Sequence, residues 1–199
     1  MTTLYLIRHG QKIQESGDPG LTELGKAEAQ KTGAYLADKQ IARIYTSTFK
    51  RARETAAIID KTLQVGIDFD PRLKERRNWG EIPGESFTEF ITEWEYSNTH
   101  RDYDPQGVGF SSHQAGENIC KVVEELVLKW PKSNIVVVAH GGIICDFLRD
   151  IFPENKLREF ILNFPEELDR LVKECSVTIV TKDENGYSLK ALASTAHLI

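Results

Sequence analysis

The sequence has few cysteines and no long apolar segment. Its three cysteines, Cys120, Cys145 and Cys175, are odd in number and too far apart for the spacing of metal or redox motifs. Reduced thiols are therefore expected, as in a cytoplasmic protein. No apolar run approaches the length of a membrane span, and the N-terminus shows no basic segment followed by a long apolar one. The sequence thus predicts a cytoplasmic protein with no signal peptide and no membrane partner.

The chain also lacks an excess of basic charge. It has 25 Lys and Arg against 30 Asp and Glu, which gives a net charge of −5. A surface without a global basic field does not attract a phosphate polymer, so no nucleic acid partner is predicted. A small phosphorylated substrate needs only a local basic pocket. The length of 199 residues, with 40% hydrophobic and 28% charged side chains, predicts one folded domain over residues 1–199.

Several cofactor and catalytic motifs are missing from the sequence. Residues 20–27 have the glycine and lysine spacing of a nucleotide-binding P-loop, but Ala27 stands where Ser or Thr is required. The five histidines show no HExxH spacing, and there is no GxSxG segment. The sequence therefore predicts no cofactor and no metal ion, and it gives no support to serine hydrolase chemistry.

Apolar strands alternate with amphipathic helices along most of the chain. The predicted strands are 4–7, 41–46 and 135–139, and the predicted helices are about 22–38, 48–63, 119–130 and a short one from 143. Helical residues around 154–172 precede a hairpin, 176–181 and 187–192, turned by Asn185-Gly186. Successive strand–helix units favour right-handed crossovers between parallel strands. The predicted fold class is α/β, a three-layer, open and mostly parallel sheet with helices on both faces.

A change of pattern at about residues 79–115 predicts a small cap insertion. Gly, Pro, Asn, Asp and Ser dominate both ends of this segment, and one helix is clear between them. Ser86 and Glu89 form a capping-box pattern at the start of that helix. An apolar stripe with helical spacing follows, made of Phe87, Phe90, Ile91 and Trp94. Such a stripe predicts packing into the core in preference to contact with a substrate.

Two predicted strands end in a histidine followed by a glycine. The first strand leads into Arg8-His9-Gly10, and the strand at 135–139 leads into His140-Gly141. Ligands of open parallel sheets gather beyond the carboxyl ends of the strands, so neighbouring strands would bring both histidines to one crevice. A single histidine at such a place is more often a simple loop contact. The pair, together with Arg8, favours a functional site.

The second predicted strand ends where a helix begins. Unpaired N–H groups and the helix dipole at such a position attract anions. Arg51 lies about one turn into this helix, where its guanidinium can reach a ligand at the helix start. Arg53 is better explained as part of a solvated face. We therefore expect Arg51 to belong to the same basic site as the two histidines.

Together these residues resemble the histidine phosphatase superfamily, the phosphoglycerate-mutase-like group. The motifs that carry the resemblance are Arg8-His9-Gly10, Leu21-Thr-Glu-Leu-Gly25, Ser47-x-x-x-Arg51-Ala52-x-x-Thr55, Leu73-x-Glu75 and Ala139-His140-Gly141. They cover residues 4 to about 145 in the family's order, and the final hairpin fits more loosely. Each motif alone is weak, but together they are specific.

The resemblance implies a metal-independent phosphatase that forms a covalent phosphohistidine on His9. Glu75 would be the general acid and base, and Glu81 is the alternative for that role. The implied catalytic residues are His9, Glu75, Arg8, Arg51 and His140. The implied substrate-binding residues are Arg8, Gly10, Gln11, Arg51, His140 and Gly141. The implied partner is a small phosphorylated substrate or a phosphoprotein.

Two positions depart from the family pattern. Lys12 stands where the family usually has Ser or Thr, and Glu15 stands where it usually has Asn. These positions help to bind substrate in the mutases and sugar phosphatases, and the cap is short for a mutase, so hydrolysis is favoured. Lys12, Arg76, Arg77, Phe87 and Trp94 are candidates to shape specificity. The alternatives are a phosphoglycerate-type mutase, a phosphohistidine-protein phosphatase and, in another class, an inactive phosphate-binding or interaction module.

Overall fold

A mixed sheet forms the middle layer of the protein. The computed structural model describes residues 1–104, 107–161 and 168–199, with the backbone alone at 168 and 169. Its strands are β1 (Thr2–Arg8), β2 (Ile41–Thr46), β3 (Ile67–Phe69), β4 (Asn134–Ala139), β5 (Val177–Asp183) and β6 (Gly186–Ser194). Its helices are α1 (Glu23–Leu36), α2 (Lys50–Leu63), α3 (Phe87–Thr99), α4 (Ser112–Lys129), α5 (Gly141–Ile151), α6 (Glu154–Arg158) and α7 (Leu168–Leu171). Short 3-10 helices lie at Pro71–Leu73 and Ala196–Leu198.

The strand order in the sheet is β3-β2-β4-β1-β5-β6. Neighbours among β3, β2, β4 and β1 are parallel, whereas β5 runs antiparallel to β1 and to β6. The sheet is therefore mostly parallel, and the predicted α/β fold class is confirmed. The central position of β1 and β4 explains their continuous apolar sequences, because both of their faces are covered by helices.

Alternate side chains of the central strands pack on opposite faces of the sheet. Leu4 and Leu6 of β1 belong to a core cluster that includes residues of α4 and α5. Tyr5 and Ile7 belong to a second cluster, with residues of α1 and α2. Full burial of one such Leu or Ile side chain stabilises the fold by about 1.5–3 kcal/mol. These two clusters hold the three layers together and fix the carboxyl ends of β1 and β4 at one edge.

Helix starts follow the capping residues in the sequence. Thr22 Oγ1 accepts the N–H of Gly25 at 3.0 Å and begins α1. The predicted capping box of Ser86 and Glu89 is present at α3. Ser111 and Gln114 form a second capping box, at α4. Each box satisfies N–H groups that have no partner within the helix, which locates the first turn.

The sequence-based prediction and the structure differ at the short elements. The edge strand β3 has three residues, too few to show a period, and was not predicted. Asp183 pairs with Gly186 in the hairpin, so Glu184 and Asn185 form the turn, one residue earlier than predicted. Of the predicted helical stretch 154–172, the helices α6 and α7 cover parts, and 162–167 lie outside the described residues.

The segment between β3 and α4 contains α3, within the predicted cap. No helix in the described parts of the chain has both the length and the apolar character needed to cross a membrane. The assignment of residues 1–199 to one domain with a cap at about 79–115 stays a prediction.

Candidate active site

The carboxyl ends of β1 and β4 bring two histidines together. These strands are parallel neighbours, and Arg8 pairs with Ala139, so His9 and His140 follow at the same edge of the sheet. Their ring centroids are 5.1 Å apart and the rings meet edge to face. His9 is 4% exposed and His140 is fully buried. Neighbouring strands thus place the two histidines side by side. That both face one crevice stays a prediction, because His9 lines the cavity of the site and His140 is not among its lining residues.

Hydrogen bonds fix the orientation of His9. Its Nδ1 lies 2.8 Å from the carbonyl oxygen of Gly10, and its Nε2 lies 3.2 Å from Nε of Arg51. Because a carbonyl oxygen only accepts and a guanidinium only donates, Nδ1 carries the proton and Nε2 presents its lone pair. Burial, followed by the charges of Arg51 and Arg8, holds the pKa of His9 well below its usual range. His9 is therefore a neutral imidazole with an unprotonated Nε2.

His140 is held by Ser47 and keeps one ring nitrogen without a protein partner. Its Nε2 is 2.8 Å from Ser47 Oγ, which also accepts the N–H of Phe49 at 3.3 Å. Ser47 Oγ can donate to Nε2 or accept from it, so this contact fits either tautomer of His140. That Nδ1 is buried with no hydrogen-bond partner among the described residues. In the tautomer with the proton on Nδ1, an anionic oxygen would satisfy this group and remove the cost of leaving a buried polar atom unpaired.

Burial also dominates the protonation of His140. It lowers the pKa of His140 well below the usual value, and the charge of Arg51 adds to the effect. Burial lowers the pKa of Arg51 as well, and the negative charge of Glu75 is the largest influence that opposes it. The site therefore combines two neutral imidazoles with arginine side chains, and its positive charge comes from the guanidinium groups.

Arg8 and Arg51 are each oriented by partners at the rim of the site. Arg8 donates to the carbonyl oxygen of Val172 at 2.8 Å and to Glu174 Oε1 at 2.7 Å. Arg51 donates to Asn78 Oδ1 at 3.1 Å. Both guanidinium groups line the same cavity as His9, as expected of cations that hold a phosphoryl group.

The start of α2 is occupied by a carboxylate of the protein itself. Its N-cap residue, Phe49, has no capping side chain, and the N–H of Lys50 donates to both oxygens of Asp18, at 2.8 and 3.0 Å. Asp18 also lies 3.9 Å from Nη1 of Arg51. The sequence correctly predicts that this helix start attracts an anion, but the anion found there is Asp18.

Glu75 reaches the start of α5 from the loop after the first 3-10 helix. Its carboxylate accepts the N–H groups of Gly142 at 2.9 Å and Ile143 at 3.0 Å, and that of Arg76 at 3.0 Å. A methyl group on Gly142 would lie 2.7 Å from Glu75 Oε1, so glycine permits this close approach. Glu75 lines the cavity, whereas Glu81, the alternative acid, accepts the N–H of Asn78 and is not among the lining residues.

A cavity of about 320 Å³ lies beside His9, and His140 is not among its lining residues. We call its polar side the charged floor, made of Arg8, His9, Lys12, Arg51 and Glu75, and its apolar side the aromatic wall, made of Trp79, Phe87, Phe90, Ile91 and Trp94. The prediction that the stripe of α3 packs into the core is wrong, because all four of its residues line this cavity. Ser97 is the buried residue of α3.

Comparison with known proteins agrees with this arrangement. The sequence profile described as "Histidine phosphatase superfamily (branch 1)" matches residues 4–195. The chain belongs to the histidine phosphatase superfamily. It is 30% identical over 182 residues to phosphoglycerate mutase-like protein 4 of Arabidopsis thaliana, which covers 84% of this chain and 79% of the relative. It is 28% identical over 158 residues to the uncharacterized phosphatase PhoE of Bacillus subtilis, covering 76% and 78% of the two chains.

The fold of this histidine phosphatase superfamily member also matches solved structures. YhfR of Bacillus stearothermophilus superimposes with a TM-score of 0.77 at 24% sequence identity, and the match covers 100% of both chains. At this identity the likeness concerns the fold alone.

Among the residues that the structure describes, no group of three or more His, Cys, Asp or Glu side chains is arranged to hold a metal ion.

Three further residues of this superfamily member are predicted to bind substrate, namely Gly141, Gly10 and Gln11. Gly141 lines it. Gly10 donates its N–H to Thr55 Oγ1 at 3.0 Å and packs against Gly25. The side chain of Gln11 is exposed, and its Oε1 accepts the hydroxyl of Thr22 at 2.8 Å. Roles in substrate binding for these three residues stay predictions.

Three residues of the site had no assigned role in the sequence-based prediction. Ser47 was part of a quoted motif, and its position at the end of β2 was the available signal. Asn78 and Asp18 come from loops, where no periodicity indicates which side chain turns inward. Their contacts with Arg51 appear only in the three-dimensional structure.

Proposed function

We propose that this protein is a metal-independent phosphatase that hydrolyses a phosphomonoester through a covalent phosphohistidine on His9. The observation that carries the proposal is the orientation of His9. Its Nδ1 proton is bound to the Gly10 carbonyl, and its unprotonated Nε2 is directed to Arg51 at the cavity. A nucleophile needs an unprotonated lone pair, and the depressed pKa of His9 keeps Nε2 unprotonated. In the attack, Nε2 exchanges its contact with Arg51 for the bond to phosphorus.

In the first step, His9 Nε2 forms a bond to phosphorus as the bond to the leaving oxygen breaks. The leaving oxygen takes a proton from the carboxylic acid form of Glu75. Arg8, Arg51 and the Nδ1–H of His140 supply donors for the phosphoryl oxygens, over which charge spreads in the transition state. Arginine suits this task because its planar group meets two oxygens at once.

In the second step, Glu75 acts as a base. Its carboxylate takes a proton from a water molecule, and the oxygen of that water attacks phosphorus while the bond to His9 Nε2 breaks. Inorganic phosphate leaves, and both His9 and Glu75 return to their starting states. Contacts with the N–H groups of Gly142 and Ile143 keep the carboxylate in place for both steps.

The test is turnover of p-nitrophenyl phosphate with EDTA present, combined with trapping of the phosphorylated enzyme. We expect wild-type turnover that chelation leaves unchanged, and an acid-labile, alkali-stable phosphate on His9. The variant His9→Ala should lose both, whereas His113→Ala, on the exposed surface of α4, should keep both. Loss of the wild-type rate on chelation, or full activity of His9→Ala, would overturn the proposal.

A phosphoglycerate-type mutase is the alternative that the 30% identity to a phosphoglycerate mutase-like plant protein favours. A mutase keeps its phosphoryl group and returns it to a second hydroxyl, whereas a phosphatase passes it to water. Supplying 3-phosphoglycerate and following both products separates them. Conversion to 2-phosphoglycerate faster than release of phosphate would replace the phosphatase proposal.

A further inference from the structure

Arg77 lines the cavity but is neutralised by the protein. Its side chain is 4% exposed and contacts the carboxylates of Glu85 and Glu93. Glu85 is 5% exposed, so this ion pair lies in the interior of the cap, and Glu93 comes from α3. The guanidinium also lies 5.3 Å from the ring centroid of Phe90. Two carboxylates and an aromatic ring thus surround one cation, which we call the Arg77 cluster (Arg77, Glu85 and Glu93).

The other cations of the cavity lie toward the phosphoryl-binding side. Arg8 and Arg51 each face one carboxylate, Glu174 at 2.7 Å and Asp18 at 3.9 Å. Lys12 has no carboxylate within ion-pair distance in the described parts of the chain, and its ammonium contacts only the Ile13 carbonyl, at 3.5 Å. Burial lowers the pKa of Lys12, and the nearby charges of Arg51 and Arg8 lower it further. Within the described residues, the cavity cation without a carboxylate partner is therefore Lys12, which lies on the charged floor.

The aromatic wall offers rings where the leaving group would lie. Trp79 and Phe87 meet edge to face at 5.1 Å, Phe87 and Phe90 lie at 6.4 Å, and Phe90 and Trp94 lie at 6.0 Å, measured between ring centroids. The rings form a continuous row. Such a surface binds apolar and planar groups, and it gives no compensation for a carboxylate that loses its water.

We infer that Glu85 and Glu93 determine the substrate class. Because their charges neutralise Arg77, the site selects phosphomonoesters of apolar, aromatic alcohols. The same two residues reject alcohols that carry a carboxylate. This inference rests on the proposed phosphatase function. Glu85 and Glu93 act through Arg77, so they are positioning and specificity residues and touch no reacting atom.

The experiment compares benzyl phosphate with 3-phosphoglycerate, because both release an alkoxide and differ mainly in the group that meets the wall. We expect kcat/KM to favour benzyl phosphate by about tenfold or more, the fold-change that corresponds to the cost of one unsatisfied buried polar group. Glu93→Gln and Glu85→Gln each leave Arg77 with one carboxylate and should reduce this ratio modestly, whereas the double variant Glu85→Gln/Glu93→Gln frees Arg77 and should reduce it several-fold. Glu95→Gln, exposed on the same helix, should leave it unchanged. Thermal melts identify variants that remain folded.

Two phosphonates test the inference independently of turnover. Benzylphosphonate should bind more tightly than 3-phosphonopropionate, and Glu93→Gln should narrow the difference in Kd. If the wild type hydrolyses nothing yet shows this preference, the proposed function fails and the inference on ligand class stands. Preference for the carboxylate ligands, or an unchanged ratio in both folded Glu variants, would overturn the inference while hydrolysis remained.

Discussion

The charged floor and the aromatic wall face one cavity but are built in different ways. The floor follows the carboxyl ends of β1 and β4, and its central residue, His9, is 4% exposed. The wall comes mainly from α3, whose Phe87 is 40% exposed. A side chain fixed by two core clusters and several hydrogen bonds keeps one geometry, as chemistry requires. Substitutions on a partly exposed helix face cost the fold little stability. We therefore expect the residues of the wall to set substrate selectivity.

The largest effect expected on the floor follows from removing Arg51. In Arg51→Met the contact to His9 Nε2 and a donor for the phosphoryl oxygens are lost, so kcat with p-nitrophenyl phosphate should fall by about 10³-fold. The matched control is Arg53→Met, which removes an exposed arginine of the same helix and should keep the rate. Equal rates for Arg51→Met and Arg53→Met would contradict a role of Arg51 in the reaction.

Glu75→Gln should divide substrates by their leaving groups. Without a proton donor, release of benzyl alcohol in a single turnover should be about 10²-fold slower, whereas release of p-nitrophenol, which needs little protonation, should slow by only a few-fold. The second step, in which Glu75 is the base, should slow equally for both substrates. Glu81→Gln is the control, because Glu81 is not among the residues that line the cavity. If Glu81→Gln showed the selective loss instead, the two glutamates would have to exchange roles.

The backbone under the floor allows a test of stability. A methyl group on Gly10 would lie 2.4 Å from the carbonyl oxygen of Gly25, and backbone atoms yield little there. Gly10→Ala should therefore lower the free energy of unfolding by about 2 kcal/mol, measured in urea. Gly33→Ala is the control, because its methyl group would lie 3.2 Å from the movable Oγ1 of Thr62. A wild-type midpoint for Gly10→Ala would contradict this close approach.

The buried histidines make the floor sensitive to acid. The pKa values of His9 and His140 lie well below 6.5 in the folded protein, so below that pH the unfolded chain binds protons that the folded protein does not. Stability contributed by each neutral histidine is present at higher pH and is lost as pH falls through the unfolded value, by up to about 1.4 kcal/mol per pH unit.

Urea denaturation at about pH 7 and about pH 5 measures this dependence. The double variant His9→Gln/His140→Gln should lose less stability between the two values than the wild type. An equal loss would mean that other groups carry the acid sensitivity. The wall contains no histidine, so wall variants should show the same change in the free energy of unfolding with pH as the wild type.

The smallest effect is expected on the wall. Phe87→Leu removes one partly exposed ring, so KM for benzyl phosphate should rise about two- to fivefold while kcat stays near the wild-type value. A fall in kcat comparable to that of Arg51→Met would show that the wall takes part in the chemistry, and the contrast between the two regions would then be lost.

The sequence predicts the floor better than the wall for physical reasons. His9 and His140 follow buried strands, and parallel neighbours place their carboxyl ends at one edge whatever the loops do. The spacing of Phe87, Phe90 and Trp94 reveals an apolar helix face, but it does not reveal whether that face meets the core or a cavity. The contacts of Arg77 with Glu85 and Glu93 depend on the path that the chain takes through the cap. No local sequence pattern predicts that path.

Asp18 gives the resting site an internal counter-ion. Its carboxylate accepts the first N–H of α2 and lies near Arg51, and Glu174 forms an ion pair with Arg8. A phosphoryl group that reaches these arginines therefore enters a nearly electroneutral environment and exchanges one anionic partner for another. The free energy of phosphoryl binding is then the difference between two interaction free energies, that of the arginines with the phosphoryl group and that of the arginines with the protein's own carboxylates. In the proposed reaction, such an exchange would weaken the hold on free phosphate and shorten the time for which the product blocks the next turnover.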